Sequence, residues 1–522
     1  MSRAISAAQA KALVHDGAEI AFLDVREAGE FGEGHPLFAI PCPYSTLEAR
    51  IGALVPRRHV RVLLIDGGDG IAARAAAVLR ELGYRDVSTV AGGTPGWAAA
   101  GFTLFQGVNV PSKTLGELAE HVWHPQTIDA PTLKRWQDGG RTFRFFDARP
   151  PEEYAKMRVP GSVCLPNGEL AHRFAAAVSE SDAPVVVTCA GRTRGIIGVL
   201  GLRLAGIEAP VYALENGTQG WNLAGFALER GNPAAPYPAL DAAAAAQTRA
   251  RAEAMMTRHD IAVADADDIA AWRGDDTRTT YLFDLRTPEE IVADPAPAFR
   301  PALSGQLVQA TDQWVGVRPA RLVLLDDLGL RGAVAAFWLR QLGYDVAVAR
   351  LDEAMRRLTP LEEDMPLPTV ASVPAATALE ADRGQLVDLR GSSDYRKAHV
   401  AGARWSIRPR LGRLALDPTQ PVYLIGAPDV VALAAKDLRD MGLAEVYVVA
   451  GGQAALEAAG AAVVASPDSP TPEEAVDFLF FVHDRHDGNL DASRRYLAWE
   501  QGLLTQLDDA ERAAFRLSER VP

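Results

Sequence analysis

Cysteine is scarce in this sequence, with only three among 522 residues, at positions 42, 164 and 189. So few thiols cannot form a disulfide framework, and they do not supply a four-cysteine zinc site. We therefore expect a protein of a reducing compartment that holds neither a metal nor a cofactor.

Long apolar runs and an excess of positive charge are also lacking. No stretch of about 18 apolar residues occurs, which argues against a membrane-spanning helix. The first residues lack the apolar core of a secretory signal, because Lys11, His15 and Asp16 interrupt it. The net charge of −14 disfavours binding to nucleic acid or to an anionic membrane through a general electrostatic field. We expect a cytoplasmic protein with no nucleic-acid or membrane partner.

What is present is an ordinary globular composition, with 48% hydrophobic and 23% charged residues. At roughly 100–200 residues per domain, the length accommodates about three to five domains. Each of them is large enough to bury a hydrophobic core.

A short motif recurs four times along the chain. A hydrophobic run ending in Asp-x-Arg occurs at residues 22–26, 145–149, 282–286 and 386–390. A second apolar run follows each copy and stops at Asp66, Cys189, Asp326 and Gly426. The distance from the motif aspartate to that stop is 42 residues in three copies and 38 in the last. Such regular spacing indicates tandem copies of one structural unit.

The pattern within each copy changes from continuous apolar runs to helical spacing. Ala75, Val78, Leu79 and Leu82 follow the second run of the first copy at helical intervals. A further short strand and a glycine-containing turn are recognisable in the first, second and fourth copies. Strands alternating with helices predict an α/β fold with a mostly parallel sheet in each unit, and its reactive groups at the carboxyl ends of the strands.

The repeat and the local composition also predict the boundaries of the units. The predicted segments are 1–110, 111–233, 262–369 and 370–465 for the four units, 234–261 for a linker with an Ala-rich helix, and 466–522 for a helical tail.

Only the second copy carries a cysteine at the end of the second run. Backbone amides and the helix dipole at such a loop stabilise an anion, which predicts a thiol pKa lowered to about 3.5–7.5. Two arginines add charge and planar hydrogen-bond donors for an anionic substrate. The predicted site consists of Cys189 as nucleophile and of the substrate-binding residues Ala190, Gly191, Arg192, Thr193, Arg194 and Gly195.

The second copy resembles the rhodanese, or sulfurtransferase, family. The resemblance is carried by the Asp-x-Arg motif, the pair Glu153-Tyr154 and a six-residue loop that begins at Cys189. In place of the family's Gly-His-Ile-Pro-Gly-Ala stretch, this copy has residues 157–162, Met-Arg-Val-Pro-Gly-Ser. The resemblance implies four tandem rhodanese-like domains plus a helical C-terminal tail, and a persulfide formed on Cys189.

The resemblance implies a thiosulfate sulfurtransferase-like enzyme. Cys189 would take the outer sulfur of thiosulfate, or of another persulfide donor, and pass it to a thiol or protein acceptor. Asp66, Asp326 and Gly426 cannot form a persulfide, so the other three units are expected to be inactive. The Asp-x-Arg motif recurs in those units too, which favours a structural ion pair.

Two alternatives remain open from the sequence. One is a scaffold that binds a persulfide or an anion without turnover. The other is a phosphatase with a Cys-x5-Arg loop, which is disfavoured because only four residues separate Cys189 from Arg194.

Overall fold

Four parallel sheets with one strand order organise the part of the chain that the structure describes. The structure is a computed structural model, and it describes residues 3–178, 183–360, 366–380, 384–478 and 489–518. Each sheet has five strands, and all of its neighbouring strands pair in parallel. The α/β class with parallel sheets flanked by helices is thereby confirmed.

The first sheet has the order β1-β5-β4-β2-β3. Its strands are β1 (Arg3–Ile5), β2 (Ile20–Asp24), β3 (Ile40–Pro41), β4 (Arg61–Ile65) and β5 (Val87–Val90). The helices around it are α1 (Ala7–Val14), α2 (Ala28–Glu33), α3 (Leu47–Leu54), α4 (Ile71–Glu81) and α5 (Gly93–Ala99), with a 3-10 turn at Tyr44–Thr46.

The second sheet has the equivalent order β6-β10-β9-β7-β8. Its strands are β6 (Thr127–Ile128), β7 (Arg144–Asp147), β8 (Val163–Cys164), β9 (Val185–Thr188) and β10 (Val211–Leu214). The helices are α6 (Val110–Trp123), α7 (Ala130–Asp138), α8 (Pro151–Lys156), α9 (Asn167–His172), α10 (Phe174–Ala177), α11 (Thr193–Leu204) and α12 (Gly217–Leu223).

The third sheet has the order β11-β15-β14-β12-β13 and follows a long helix in the predicted linker. Its strands are β11 (Ala262–Val263), β12 (Thr280–Asp284), β13 (Arg300–Pro301), β14 (Arg321–Asp326) and β15 (Asp345–Arg350). The helices are α13 (Ala242–Arg258), α14 (Ala266–Arg273), α15 (Pro288–Ala293), α16 (Ser304–Gln309), α17 (Leu330–Gln341) and α18 (Glu353–Arg356), with a 3-10 turn at Thr311–Gln313.

The fourth sheet has the order β16-β21-β20-β17-β19, and a small antiparallel pair β18-β22 accompanies it. The strands are β16 (Ser372–Val373), β17 (Gln385–Asp388), β18 (His399–Val400), β19 (Arg404–Trp405), β20 (Val422–Ile425), β21 (Val446–Val449) and β22 (Val463–Val464). The helices are α19 (Ala375–Glu380), α20 (Ser392–Lys397), α21 (Pro428–Asp440) and α22 (Gly452–Ala458), with a 3-10 helix at Arg408–Leu414.

The predicted helical tail, 466–522, is only partly helical. Residues 466–478 form turns and bends without a helix, so the prediction was wrong for them, and the described helices of this segment begin at Leu490. The segment contains α23 (Leu490–Gln501), a 3-10 turn at Leu503–Thr505 and α24 (Asp509–Ala513). The side chain of Asn489 accepts a hydrogen bond from the Ala492 amide and so caps α23, and Asp508 caps α24 in the same way. None of the helices in the described residues is long and apolar enough to cross a bilayer.

The central strands are buried on both faces, as is typical of parallel sheets covered by helices. All four residues of β9 are buried, and Trp221 of α12 completes the core beside them. The Asp-x-Arg motif forms an ion pair at the end of a strand in every copy, in agreement with the structural ion pair expected from the sequence. Both side chains are buried in the first three copies, whereas Arg390 in the fourth copy is 24% exposed. The pairs are Asp24–Arg26, Asp147–Arg149, Asp284–Arg286 and Asp388–Arg390.

The chain forms two compact units, and each is built from segments that are far apart in the sequence. One unit comprises Met1–Val14, Ile20–Val108 and Glu363–Val482, and thus holds the first and fourth sheets. In it, Arg408 is fully buried and bonds to both Glu48 and Asp437. The other unit comprises His15–Glu19, Asn109–Glu362 and His483–Pro522, with the second and third sheets and α23. The boundaries predicted from the repeat stay predictions.

Candidate active site

Cys189 stands directly after β9, at the carboxyl edge of the second sheet, and α11 begins four residues later. The amides of Gly191 and Gly195 are directed at its sulfur. The turn before α12 supports the loop from the other side, because Thr218 N–H donates to the Cys189 carbonyl at 2.8 Å. Residues 189–195 therefore form a turn around the sulfur, with backbone donors that point inward.

The thiol is buried, with 2% of Cys189 exposed. Burial raises the pKa of the Cys189 thiol above its ordinary value, although Arg194 and the amides of Gly195 and Gly191 act in the opposite direction, and the charge of Glu500 adds to the increase. The expectation of a lowered pKa was therefore wrong. The amides and the arginine are in place, but desolvation outweighs them.

The two loop arginines are both engaged with glutamates. Arg192 donates to Glu117 at 2.8 Å and also contacts Glu120, both on α6. Arg194 makes two hydrogen bonds of 2.7 Å to the carboxylate of Glu153 on α8. Arg192 thus connects the loop to α6, whereas Arg194 remains close enough to act electrostatically on the sulfur.

Thr193, the remaining polar side chain of the loop, connects it to the C-terminal helix α23. Its hydroxyl donates to Glu500 Oε1 at 2.8 Å. A Cβ placed on Gly191 would lie 3.1 Å from Glu500 Oε2 and 3.4 Å from Tyr496 Cε1. Helix α23 therefore packs directly against the loop at Gly191 and Thr193.

Sequence reasoning missed the residues that surround the loop. Glu153 left a signal, because an acidic residue precedes an aromatic one in three of the four copies. Gln219 lies at the variable position of a Gly-Thr-x-Gly-Trp segment that recurs at 93–97 and 217–221, so its position left a signal, whereas Glu500 belongs to no recurring motif. Gln219 lies in α12, where its backbone N–H donates to the Ala190 carbonyl at 3.2 Å.

The corresponding loops of the first and third copies contain an internal carboxylate. Asp66 accepts hydrogen bonds from the amides of Gly68 at 2.9 Å, Gly70 at 3.1 Å and Ala72 at 2.9 Å. Asp326 accepts from the Arg331 amide at 2.9 Å and also bonds to its guanidinium. In both copies the aspartate occupies the position at which an anion would otherwise bind.

The other two cysteines lie away from this loop and are buried. Cys42 is 0% and Cys164 is 3% exposed. Burial raises the pKa of Cys42 to about 11 and that of Cys164 to about 12. These thiols are therefore protonated near neutral pH, which favours a structural role for both.

A cavity of about 670 Å³ borders the loop at Arg194. Asn167, Arg173 and Tyr237 contribute to its wall. Arg173 bonds to Glu169 and Glu290 there. The cavity is large enough for a small anion, and Arg194 is the residue that it shares with the Cys189 loop.

Three potential metal ligands meet within the same compact unit. Ligand atoms of His172, Asp326 and Asp327 lie within 4.8 Å of one another. The guanidinium of Arg331 bonds to both aspartates at 3.1 Å, so a cationic group already neutralises the carboxylates. This cluster is therefore poorly suited to a metal ion.

Comparison with known proteins agrees with the geometry. A family model described as "Rhodanese-like domain" matches residues 6–100 and 129–224. No curated protein matches. A solved structure described as thiosulfate sulfurtransferase from Pseudomonas aeruginosa is 36% identical, with a TM-score of 0.90, over 99% of this chain and 100% of that one.

Single domains give shorter matches. A rhodanese-like domain of the Alr3790 protein from Anabaena sp. is 28% identical over 16% of this chain and 81% of its own, with a TM-score of 0.15. The extent and identity of the Pseudomonas match decide the assignment. The chain belongs to the rhodanese family of sulfurtransferases.

Proposed function

We propose that the chain transfers sulfane sulfur through a persulfide on Cys189, with thiosulfate or a persulfide as donor and a thiol as acceptor. One observation carries this proposal. The sulfur of Cys189 receives the amides of Gly191 and Gly195 at a strand end where the first and third copies have a carboxylate instead. An atom held in this way is able to carry negative charge as a thiolate or as a persulfide.

The first half-reaction loads the enzyme. The Cys189 thiolate attacks the outer sulfur of thiosulfate, a bond forms between Sγ and that sulfur, and the S–S bond of thiosulfate breaks. Its electron pair leaves with sulfite, so no external oxidant is needed. Arg194 and the loop amides would stabilise the anionic sulfur, whereas Arg192 would hold the loop against α6 through Glu117.

The second half-reaction discharges the enzyme. An acceptor thiolate attacks the outer sulfur of the persulfide, and the Cys189 thiolate departs as leaving group. The acceptor then carries the persulfide and the enzyme is regenerated. This sequence is a ping-pong reaction with one covalent intermediate.

The test is thiocyanate formation from thiosulfate and cyanide. Cys189→Ser should abolish turnover, because serine carries no transferable sulfur, whereas Cys164→Ser removes another buried thiol and should retain it. Intact mass after incubation with thiosulfate should show one added sulfur, localised to the peptide that contains Cys189. Undiminished turnover in Cys189→Ser would contradict the proposal.

Intact mass and turnover discriminate the scaffold alternative, and an additional phosphate-release assay tests the phosphatase. A scaffold would acquire the extra sulfur without turnover, or would not react with any donor. A phosphatase would release orthophosphate from an aryl phosphate in a reaction that depends on Cys189. The ring of six residues from Cys189 to Arg194 favours sulfur over the larger phosphate group.

A further inference from the structure

One peptide group connects the Cys189 loop to the helix that follows it. The carbonyl of Arg194 and the N–H of Gly195 belong to the same planar trans peptide, so the two point in opposite directions. The Gly195 N–H is directed at the sulfur of Cys189, and a Cβ on Gly195 would lie 3.7 Å from that sulfur. A group that holds the Arg194 carbonyl therefore also sets the direction of a hydrogen-bond donor to the sulfur.

A side chain from another helix holds that carbonyl. Asn167, the first residue of α9, donates from Nδ2 to the Arg194 carbonyl at 2.9 Å. Its backbone N–H donates to the Ala148 carbonyl at 3.3 Å, which anchors it next to the end of β7. A hydrogen bond accepted by a carbonyl also polarises the N–H of the same peptide and makes it a better donor. Asn167 is thus connected to the sulfur of Cys189 through one peptide.

The direction of the Gly195 N–H is important because a second acceptor competes for it. The same N–H donates to the Arg192 carbonyl at 3.1 Å. A tilt of the peptide toward that carbonyl would weaken the hydrogen bond to the sulfur. The bond from Asn167 resists such a tilt, since it fixes the other end of the peptide.

The packing around Asn167 leaves its carboxamide little freedom. A Cβ on Gly198 would lie 2.5 Å from Asn167 Oδ1, so the glycine provides the space that the carboxamide occupies. Helix α16 of the third copy packs against α9, and a Cβ on Gly305 would lie 3.5 Å from Asn167 Cβ. In the same contact, a Cβ on Gly168 would lie 2.8 Å from Ser304 Cβ. The third copy therefore supports the residue that holds the peptide.

The third copy contains the same arrangement with different residues. Ser304, the first residue of α16, donates from its hydroxyl to the Arg331 carbonyl at 3.3 Å. The next N–H, that of Gly332, donates to Asp326 Oδ2 at 3.4 Å. Asp326 stands where the second copy has Cys189. In both copies, a side-chain donor holds the peptide whose N–H points at the side chain that ends the strand.

We infer that Asn167 is a positioning residue for the Cys189 centre, and that its carboxamide holds the Arg194–Gly195 peptide so that the Gly195 N–H stabilises negative charge on the sulfur. The inference rests on the proposed function, since it concerns the same site. Asn167 acts through the peptide and not on the sulfur itself. Loss of its donor should leave Cys189 a poorer thiolate, both as nucleophile and as leaving group.

The first experiment titrates the Cys189 thiol without any sulfur transfer. The ultraviolet absorbance of thiolate is recorded against pH for the full chain, and the curve of the matching Cys189→Ser protein is subtracted, so that the difference reports Cys189. Asn167→Ala removes the donor. Loss of one hydrogen bond should move the midpoint upward by about 0.7 pH unit, which is about a fivefold change in the ratio of thiolate to thiol.

Gln137→Ala is the matched control. Gln137 also donates from its carboxamide to a backbone carbonyl, that of Pro160, at 2.7 Å, but it does not contact the Cys189 loop. Both variants should lose stability in urea, whereas only Asn167→Ala should move the titration. An unmoved or lowered midpoint in Asn167→Ala, or an equal movement in Gln137→Ala, would overturn the inference.

Two further variants separate hydrogen bonding from packing. Gly198→Ala should displace the carboxamide and move the midpoint upward by a second route. Asn167→Ser combined with Gly198→Ala installs the pair that the third copy has at the equivalent positions, Ser304 and Ala335. This double variant keeps a donor and fills the space, so it should recover most of the shift. No recovery would show that the carboxamide acts by its bulk and would overturn the inference.

The second experiment measures sulfur transfer from thiosulfate to cyanide. Asn167→Ala should lower kcat/KM about fivefold, in proportion to the thiolate that it loses, and Gln137→Ala should leave it unchanged. Undiminished kcat/KM in Asn167→Ala would contradict the positioning role. Failure of the wild-type protein to transfer sulfur would instead contradict the proposed function, and the titration would still decide whether Asn167 acts on Cys189.

Discussion

Replacement of Gly217 by alanine is expected to displace the Cys189 loop. Gly217 has φ +53°, and a Cβ there would lie 2.2 Å from the Cys189 carbonyl oxygen and 2.9 Å from that of Gly191. Neither oxygen can tolerate a carbon so close, so the loop or the start of α12 must shift. The shift also weakens the hydrogen bond from Thr218 N–H to the Cys189 carbonyl.

The free-energy cost of Gly217→Ala has two parts that can be measured separately. A left-handed conformation costs an alanine about 1–2 kcal/mol, and forcing a group into a packed region adds about 1–3 kcal/mol. Gly225, at the other end of α12, has φ +85° and nothing within 4 Å of an added Cβ. Gly225→Ala therefore carries the first cost alone, about 1–2 kcal/mol, whereas Gly217→Ala carries the sum of both, about 2–5 kcal/mol.

The assay compares both variants in two measurements. Hydrogen exchange of the peptide that contains Cys189 reports the local stability, and the rate of thiol alkylation at Cys189 reports the geometry of the loop. Only Gly217→Ala should speed exchange in that peptide, and a displacement of about 1 Å should lower sulfur transfer by roughly 100-fold. Equal behaviour of the two variants would refute the assignment of Gly217 as the support of the loop.

Three further predictions concern charge. Arg194→Gln removes a cation that opposes the high pKa of Cys189, so alkylation at pH 7 should slow and its pH profile should move upward; an unmoved profile would contradict the electrostatic role. Glu117 has a pKa raised from 4.5 to about 7 by burial, so its contribution to stability is complete below pH 4.5 and is lost as the pH rises through 7. Hydrogen exchange should show α6 losing about 3 kcal/mol more protection over that range in wild type than in Glu117→Gln. Arg408→Met removes the buried guanidinium that Glu48 on α3 and Asp437 on α21 share, and should destabilise both helices by about 3–5 kcal/mol, measured by hydrogen exchange in urea; a cost below 1 kcal/mol would contradict it.

The repeat could be predicted from the sequence because it depends on local patterns. Buried strands such as β9 and β14 are continuous apolar runs, and the Asp-x-Arg motif marks the strand that pairs with them. The first strand of each sheet was not predicted, since β1, β6, β11 and β16 have only two or three residues. The closing strand β15 of the third copy was also missed, because small alanines alternate with its valines and no glycine turn follows.

The electrostatics of the loop could not be predicted in the same way. The loop composition correctly indicated inward amides and nearby arginines, but the pKa of Cys189 depends on what covers it. One of the charges that raise this pKa is that of Glu500 on α23, which lies about 300 residues further along the chain and has no counterpart in the repeat. The glutamate partners of Arg192 and Arg194 likewise lie on α6 and α8. The sequence of the loop identifies the amide and arginine donors. Only the tertiary structure shows how buried they are and which carboxylates they bind.

The carboxylate of Asp66 has a consequence for the turn that it occupies. An amide-lined turn without an anion would leave three donors unpaired at the start of α4, and the backbone there would lose its support. Aspartate accepts hydrogen bonds from all three donors, so this copy can lack a reactive cysteine and still keep the fold of the turn. A turn with such an internal carboxylate therefore keeps its shape whether or not an external anion is bound.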